Sequence, residues 1–337
     1  MSAPDKQTIA IAGAGSIGCF VGGMLTHAEK DVRFLARPRI IDTVRAHGLT
    51  VTDLSGFNAR LDPDALSFSD DPSILAGADI VLVCVKSGAT AEMAAFIAEH
   101  APENVVVISL QNGVSNVGVL RKALPNCDVR AGMVAYNVVN AGEGRFHRGV
   151  AGNILIDAGP GAVAEALTTP QLLVRESSDM PAVQWGKLLI NLNNALNALS
   201  GLPLREELMR QGWRALLADQ MAEAMRALTA EGISPRAATP LPPKLVPHIM
   251  RLPTPLYRLI AGRSLKIDPE ARSSMWEDLE LGRKTEIDEL QGAVVALCDK
   301  HGLSAPVNAR VAALIRECEE KGGGSPKLVP ADIRASV

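Results

Sequence analysis

The 337-residue chain contains no apolar run approaching the roughly 18 residues that a membrane-spanning helix needs. It has no basic excess either: 34 Lys and Arg stand against 37 Asp and Glu, a net charge of -3, which argues against a nucleic-acid binder. The five cysteines, Cys19, Cys84, Cys127, Cys298 and Cys318, are odd in number and form no C-x-x-C pair. They suggest neither a zinc site nor a disulfide framework, and reduced core thiols are expected. Met1 to Lys6 lead straight into an apolar strand, which leaves no room for a signal peptide, so the expected location is cytoplasmic. No internal repeat is present. With 47% hydrophobic and 21% charged residues, the chain is long enough for two domains and a large core.

The most informative segment is Thr8 to Gly18, a short β-type run that turns through Gly13, Gly15 and Gly18 into a helix-like stretch. Gly13 suits a tight strand-to-helix turn, Gly15 the approach of a pyrophosphate to bare backbone, and Gly18 close packing of helix on sheet. The anion then rests on the helix start, which places Ser16 and Ile17 in the binding loop. The second strand, Asp31 to Ala36, ends in Arg37, with Arg39 beyond, where an NAD site carries an acidic residue. A guanidinium suits a 2′-phosphate, so Arg37 points to NADPH/NADP+; the alternative is an ordinary surface arginine.

Strand candidates at Thr8 to Ala12, Asp31 to Ala36, Ile80 to Val85 and Val105 to Ser109 alternate with helical stretches, and extended runs follow at Val129 to Val139 and Asn153 to Asp157. From about Pro181 the period becomes helical: Trp185 to Leu199, Leu204 to Glu231, Met275 to His301 and Asn308 to Lys321, with Gly201, Gly232 and Gly302 as stops. The expected architecture is an α/β N-terminal Rossmann domain with a mostly parallel sheet over 1–180 and an all-α C-terminal domain over 181–325. A loose tail over 326–337 completes the chain. Leucine-rich helical faces are compatible with a homodimer.

In such a sheet, ligands bind at the carboxyl ends of the strands. Lys86 closes the third strand, as a phosphate or ribose contact or as a solvated strand end. Asn112, in Gln111-Asn112-Gly113, follows the fourth, as a cofactor or substrate contact or as a tight turn. In the helical half, Lys187, Asn191 and Asn194 recur at i, i+4 and i+7 within an otherwise leucine-rich helix. A buried ammonium needs acceptors, and two asparagines supply them while still offering donors to a ligand; the alternative is a stripe facing water. Glu286 shares the predicted helix face of Leu279, Leu290, Ala293 and Leu297, so it is either used or paired with Arg283. Ser274 and Glu277 form a Ser-x-x-Glu capping box, at a helix start where a carboxylate would also be held.

These residues, taken in order, resemble the ketopantoate reductase (2-dehydropantoate 2-reductase) family over nearly the whole chain. The resemblance rests on Gly13 to Gly18, Arg37, Lys86, Gln111-Asn112-Gly113, Trp185-Gly186-Lys187 with Asn191, Ser273 to Met275 and Thr285 to Asp288. It implies NADPH-dependent reduction of a 2-oxo acid, most directly 2-dehydropantoate to pantoate as in pantothenate biosynthesis. Lys187 would then be general acid, Glu286 would bind the substrate hydroxyl, Asn112, Asn191 and Ser274 would orient the substrate, and Arg37 would meet the 2′-phosphate. The family's second asparagine, eight residues after the lysine, is Ala195 here, with Asn194 just before it. The stretch Leu245 to Lys266, bearing Arg251, Tyr257, Arg258, Arg263 and Lys266, is longer than the family's usual connection. A relative acting on another 2-oxo or 3-hydroxy acid and a non-catalytic NADPH sensor are the alternative expectations. No metal site is expected, and the expected partner is a small 2-oxo acid.

Overall fold

A computed structural model describes residues 7–237, 241–262 and 270–335, and the chain divides into two compact units, Met1–Met180 and Pro181–Val337. Arg263 and Lys266 lie outside the described residues. The first unit is built on an eight-stranded sheet. From edge to edge its strands are Val174–Ser177, Ile154–Asp157, Asp128–Val134, Val106–Ser109, Ile80–Val83, Thr8–Ala12, Asp31–Leu35 and Ser67–Ser69. Every neighbouring pair is parallel except Ile154–Asp157 with Asp128–Val134. The central strands Thr8–Ala12 and Ile80–Val83 are buried throughout, the burial that their continuous apolar character demands.

A second sheet, ordered Asn58–Leu61, Leu49–Asp53, Arg145–Arg148 and Val138–Asn140, is absent from the sequence-based expectation. Its strands are three to five residues long. The extended run expected at Val129 to Val139 is divided between the two sheets. One ion pair, Arg148 with Asp53 at 2.5 Å, secures it. The Arg148 guanidinium also lies 5.6 Å from the Phe20 ring centre and 5.5 Å from that of Tyr136, fixing this sheet to the helix Ser16–His27.

The second unit is helical among its described residues, with more breaks than the periodicity predicts. The expected Trp185 to Leu199 helix forms two segments, Met180–Asn191 and Asn193–Ser200, and the expected Leu204 to Glu231 helix divides into Leu204–Met209 and Gln211–Glu231. The expected Met275 to His301 helix stops after Ser274–Glu280, where Gly282 takes φ +60° and the Arg283 N–H reaches back to the Asp278 carbonyl at 2.8 Å. This is a Schellman closure, and Gly282 is its signal in the sequence. The chain re-enters a helix at Ile287, first as a π turn over Asp288–Gly292 and then as Ala293–Lys300.

The C-terminal segment is not a loose tail. The Ser325 hydroxyl donates to the Ala198 carbonyl at 2.6 Å, the Leu328 N–H donates to the Leu199 carbonyl at 2.9 Å, and Ile333 is fully buried. Three consecutive glycines let the chain turn back onto the helical core through positive φ values of 67°, 89° and 76°. All five cysteines are free thiols. Among the described residues, no helix is long and apolar enough to cross a membrane.

Candidate active site

In the first unit, four adjacent parallel strands deliver the predicted groups to one edge of the sheet. In sheet order, Asp31–Leu35 leads to Arg37, Thr8–Ala12 to the glycine loop, Ile80–Val83 to Lys86 and Val106–Ser109 to Asn112. Three inter-strand spacings span about 14 Å, the scale of an extended dinucleotide. The N–H groups of Gly13 and Ala14 both donate to the Leu35 carbonyl, at 3.1 and 2.9 Å, and so couple the loop to the strand end that carries Arg37.

Two of the three glycines are required by space. Gly13 has φ +98°, and a Cβ there would stand 2.3 Å from Val85 Cγ1. A Cβ on Gly18 would stand 2.7 Å from the Gly13 carbonyl oxygen. Gly15 has no heavy atom within 4 Å of its Cβ position, so its side of the loop is open. The first intrahelical bond runs from the Cys19 N–H to the Gly15 carbonyl at 2.8 Å, which leaves Ser16, Ile17 and Gly18 in the donor-rich first turn. No acidic side chain stands in that turn to oppose an anion. The loop therefore fits a pyrophosphate.

Arg37 is exposed at the N-cap of the helix Pro38–His47, and Arg39 is exposed beside it. Lys86 is exposed too, but it lies in the loop after Val83; the expected strand to Val85 ends two residues early. Asn112 is half-buried before Gly113, whose φ of +87° makes the predicted turn real. A buried amide network ties these two loops together. Gln111 Nε2 donates to the Val85 carbonyl at 3.0 Å and to Thr90 Oγ1 at 2.7 Å, while Asn116 Nδ2 donates to the Asn112 carbonyl at 2.7 Å and to Ser87 Oγ at 3.0 Å. Thr90 and Asn116 escaped the sequence reading, although polar residues beside strand ends are a usable signal.

In the second unit, Lys187, Asn191 and Asn194 are half-buried, while Leu188, Leu189, Leu192, Ala195 and Leu196 between them are buried. Leu192 interrupts the helix but keeps right-handed dihedrals, φ −55° and ψ −25°, so the stripe retains its spacing. At the interruption the Leu192 N–H keeps its bond to the Leu188 carbonyl at 3.0 Å, and the Leu192 carbonyl accepts from Gln291 Nε2 at 2.9 Å. Burial pushes the Lys187 ammonium down from 10.5 to about 8, and the negative charge of Glu286 opposes that fall.

Glu286 thus faces Lys187 electrostatically, though not from mid-helix as predicted. It is half-buried in the connection just before the helix that starts at Ile287, so its expected face with Leu279 does not exist. The predicted capping box of Ser274 and Glu277 does not form, because the cap falls one residue earlier and the third helical residue is then Trp276. Ser273, not Ser274, is the N-cap: its hydroxyl accepts from the Trp276 N–H at 3.1 Å and donates to the Asn194 carbonyl at 2.9 Å. Ser274 is exposed at the first helical position.

Behind these groups lies a polar cluster with no counterpart in the sequence-based expectation. The Ser273 N–H donates to Asn197 Oδ1 at 2.8 Å, and Asn197 Nδ2 donates to Glu207 Oε2 at 2.5 Å. Glu207 is fully buried, with Asn193 and Ser200 as further partners, and burial raises its carboxyl from 4.5 to about 8.

Comparison with known proteins agrees over both units. The family described as "Ketopantoate reductase PanE/ApbA" matches residues 9–161, and its C-terminal counterpart matches residues 179–319. A 2-dehydropantoate 2-reductase of Halobacterium salinarum is 28% identical over 93% of this chain and 99% of its own length. The crystal structure of a PanE/ApbA family ketopantoate reductase from Ralstonia eutropha JMP134 is 32% identical, with a TM-score of 0.80 over 94% of this chain and 99% of that one. A D-mandelate dehydrogenase complexed with NADH and anilino(oxo)acetate shares the fold at 19% identity, with a TM-score of 0.77 over 94% and 99% of the two chains.

Proposed function

Because this chain belongs to the ketopantoate reductase family, a family of NAD(P)-dependent oxidoreductases, we propose that it uses NADPH to reduce a 2-oxo acid, in the first place 2-dehydropantoate, to the 2-hydroxy acid. The observation that carries this reading is the Lys187 ammonium, held in an apolar helix with Glu286 as its electrostatic partner and brought to about 8. A general acid works best when its pKa lies near the working pH.

A bound reduced nicotinamide supplies the hydride to C2. Gly13, Gly15 and the N–H groups of Ser16, Ile17 and Gly18 hold the pyrophosphate, and Arg37 pairs with the 2′-phosphate of the adenosine end. Lys86 and Asn112, further along the row, serve the ribose and nicotinamide end. Lys187 hydrogen-bonds the carbonyl oxygen, stabilises the negative charge that develops there and gives it a proton; water restores the ammonium. Asn191, Asn194 and Ser274 orient the acid, and Glu286 accepts from its second hydroxyl.

The test is NADPH oxidation across a panel of 2-oxo acids that includes 2-dehydropantoate, with Lys187→Ala beside the parent. The variant is expected to lose about 10²- to 10⁴-fold in kcat with a smaller change in KM. Near-parental kcat would remove Lys187 from the mechanism. A different 2-oxo acid is the second reading, and Ala195 favours it: the position eight residues after the lysine is fully buried and has no polar group for the substrate.

A further inference from the structure

We infer that Gln291 is a positioning residue: its amide, bonded to the Leu192 carbonyl, holds the Glu286 segment against the Lys187 stripe. The inference rests on Lys187 and Glu286 acting together. Two links join the same two stretches of chain. Glu286 acts on Lys187 through charge, and five residues further along each stretch Gln291 Nε2 donates to the Leu192 carbonyl at 2.9 Å.

The local backbone is shaped for this second link on both sides. On the stripe, the break between Met180–Asn191 and Asn193–Ser200 falls at Leu192, whose N–H keeps its bond to the Leu188 carbonyl at 3.0 Å while its carbonyl accepts from Gln291. On the other side, Gln291 lies in the π turn Asp288–Gly292. Glu286 stands in the connection just before this helix, so the two groups lie within its first turns.

Gln291 is fully buried, so the amide has no water to fall back on. Its Nε2 has a second acceptor, Gln220 Oε1 at 2.8 Å, on the helix Gln211–Glu231. Gln220 supplies the control: removing it disturbs the same buried cluster but leaves the Leu192 bond in place.

The experiment compares Gln291→Met with Gln220→Met in the full chain. In Q291M, kcat is expected to fall about 10- to 100-fold, the scale of a 1 Å misplacement, with the KM for NADPH unchanged. Q220M should stay within about 3-fold of the parent in kcat while losing comparable thermal stability. The second readout needs no activity: Lys187 is titrated by NMR in lysine-labelled protein, its signal assigned with Lys187→Arg. Glu286 raises the Lys187 value, so drawing its segment away should move the titration in Q291M below about 8, in the direction of Glu286→Gln, and not in Q220M.

Parental kcat and an unmoved titration in Q291M would overturn the inference, as would equal losses in the two variants. If Q291M does not fold, Gln291→Asn keeps an amide but is one methylene too short to reach Leu192, and the same shift is expected. If the parent reduces no 2-oxo acid, the catalytic reading fails, and the titration still decides the role of Gln291.

Discussion

The two units present their candidate groups in opposite ways. In Met1–Met180 they are backbone N–H groups and exposed cations set on loops at the ends of rigid strands. In Pro181–Val337 Lys187, Asn191, Asn194 and Glu286 are half-buried side chains, with Glu286 acting on the Lys187 ammonium, and Ser274 is exposed. The difference follows from what each unit would have to do. An anionic ligand that arrives with its own charge needs only converging donors, and a backbone supplies these at no cost in pKa. A group that must release a proton near neutral pH has to be moved from its ordinary value, and burial is the means. The first kind of site should therefore fail by losing affinity and the second by changing its pH dependence.

The largest effect expected from the exposed side is at Arg37. Replacing it by serine removes the charge-assisted contact to a 2′-phosphate, a contact of about 1.5 to 3 kcal/mol. The kcat/KM for NADPH should fall about 10- to 100-fold while that for NADH changes little. Parallel measurement with the two cofactors decides it, and equal losses would mean that Arg37 reads no phosphate.

The pH profile sharpens the other side. With Lys187 near 8, kcat for reduction should be level at lower pH and decline as pH rises through about 8, because the acid form is being lost; the reverse oxidation should rise over the same interval. Glu286 raises this value, so Glu286→Gln must shift the limb toward lower pH. An unmoved limb would show that the titrating acid is a different group.

The same contrast explains which parts were legible in the sequence. Gly13, Gly15 and Gly18 announce themselves because a backbone site excludes Cβ atoms, and the parallel sheet follows from near-continuous β-branched runs. Lys187 with its two asparagines stands out because those residue types have no place on a leucine-rich helix without a reason. What stayed hidden depends on partners far along the chain. The Leu192 carbonyl, at the helix break, is bonded by a side chain 99 residues away, and the tail is held by Ser325 on a carbonyl 127 residues away. Ser273 takes the cap from Ser274 because Asn194 and Asn197 fix its hydroxyl and its N–H. Gly282 is, by contrast, a local signal, a left-handed stop that detaches Glu286 from the preceding helix.

Glu207 offers the smallest effect and the finest test of the contrast, because it is buried as deeply as any group in the second unit yet belongs to its scaffold. A carboxyl raised in the folded chain binds its proton more tightly there than in the unfolded chain. Its contribution is therefore intact below the ordinary carboxyl value of 4.5 and is lost progressively as pH rises from there through about 8. Glu207→Gln keeps an oxygen for Asn197 and cannot ionise. At about pH 5 the exchange of one oxygen for an NH₂ group should cost about 1 kcal/mol, so the variant melts slightly below the parent. As pH rises to about 8 the parent loses stability that the variant keeps, and the difference in Tm should shrink and then change sign. Thermal melts across that range read the crossing directly. A constant difference would mean that Glu207 is ionised in the folded chain at all of these pH values, with the cluster of Asn193, Asn197 and Ser200 acting as a carboxylate cradle.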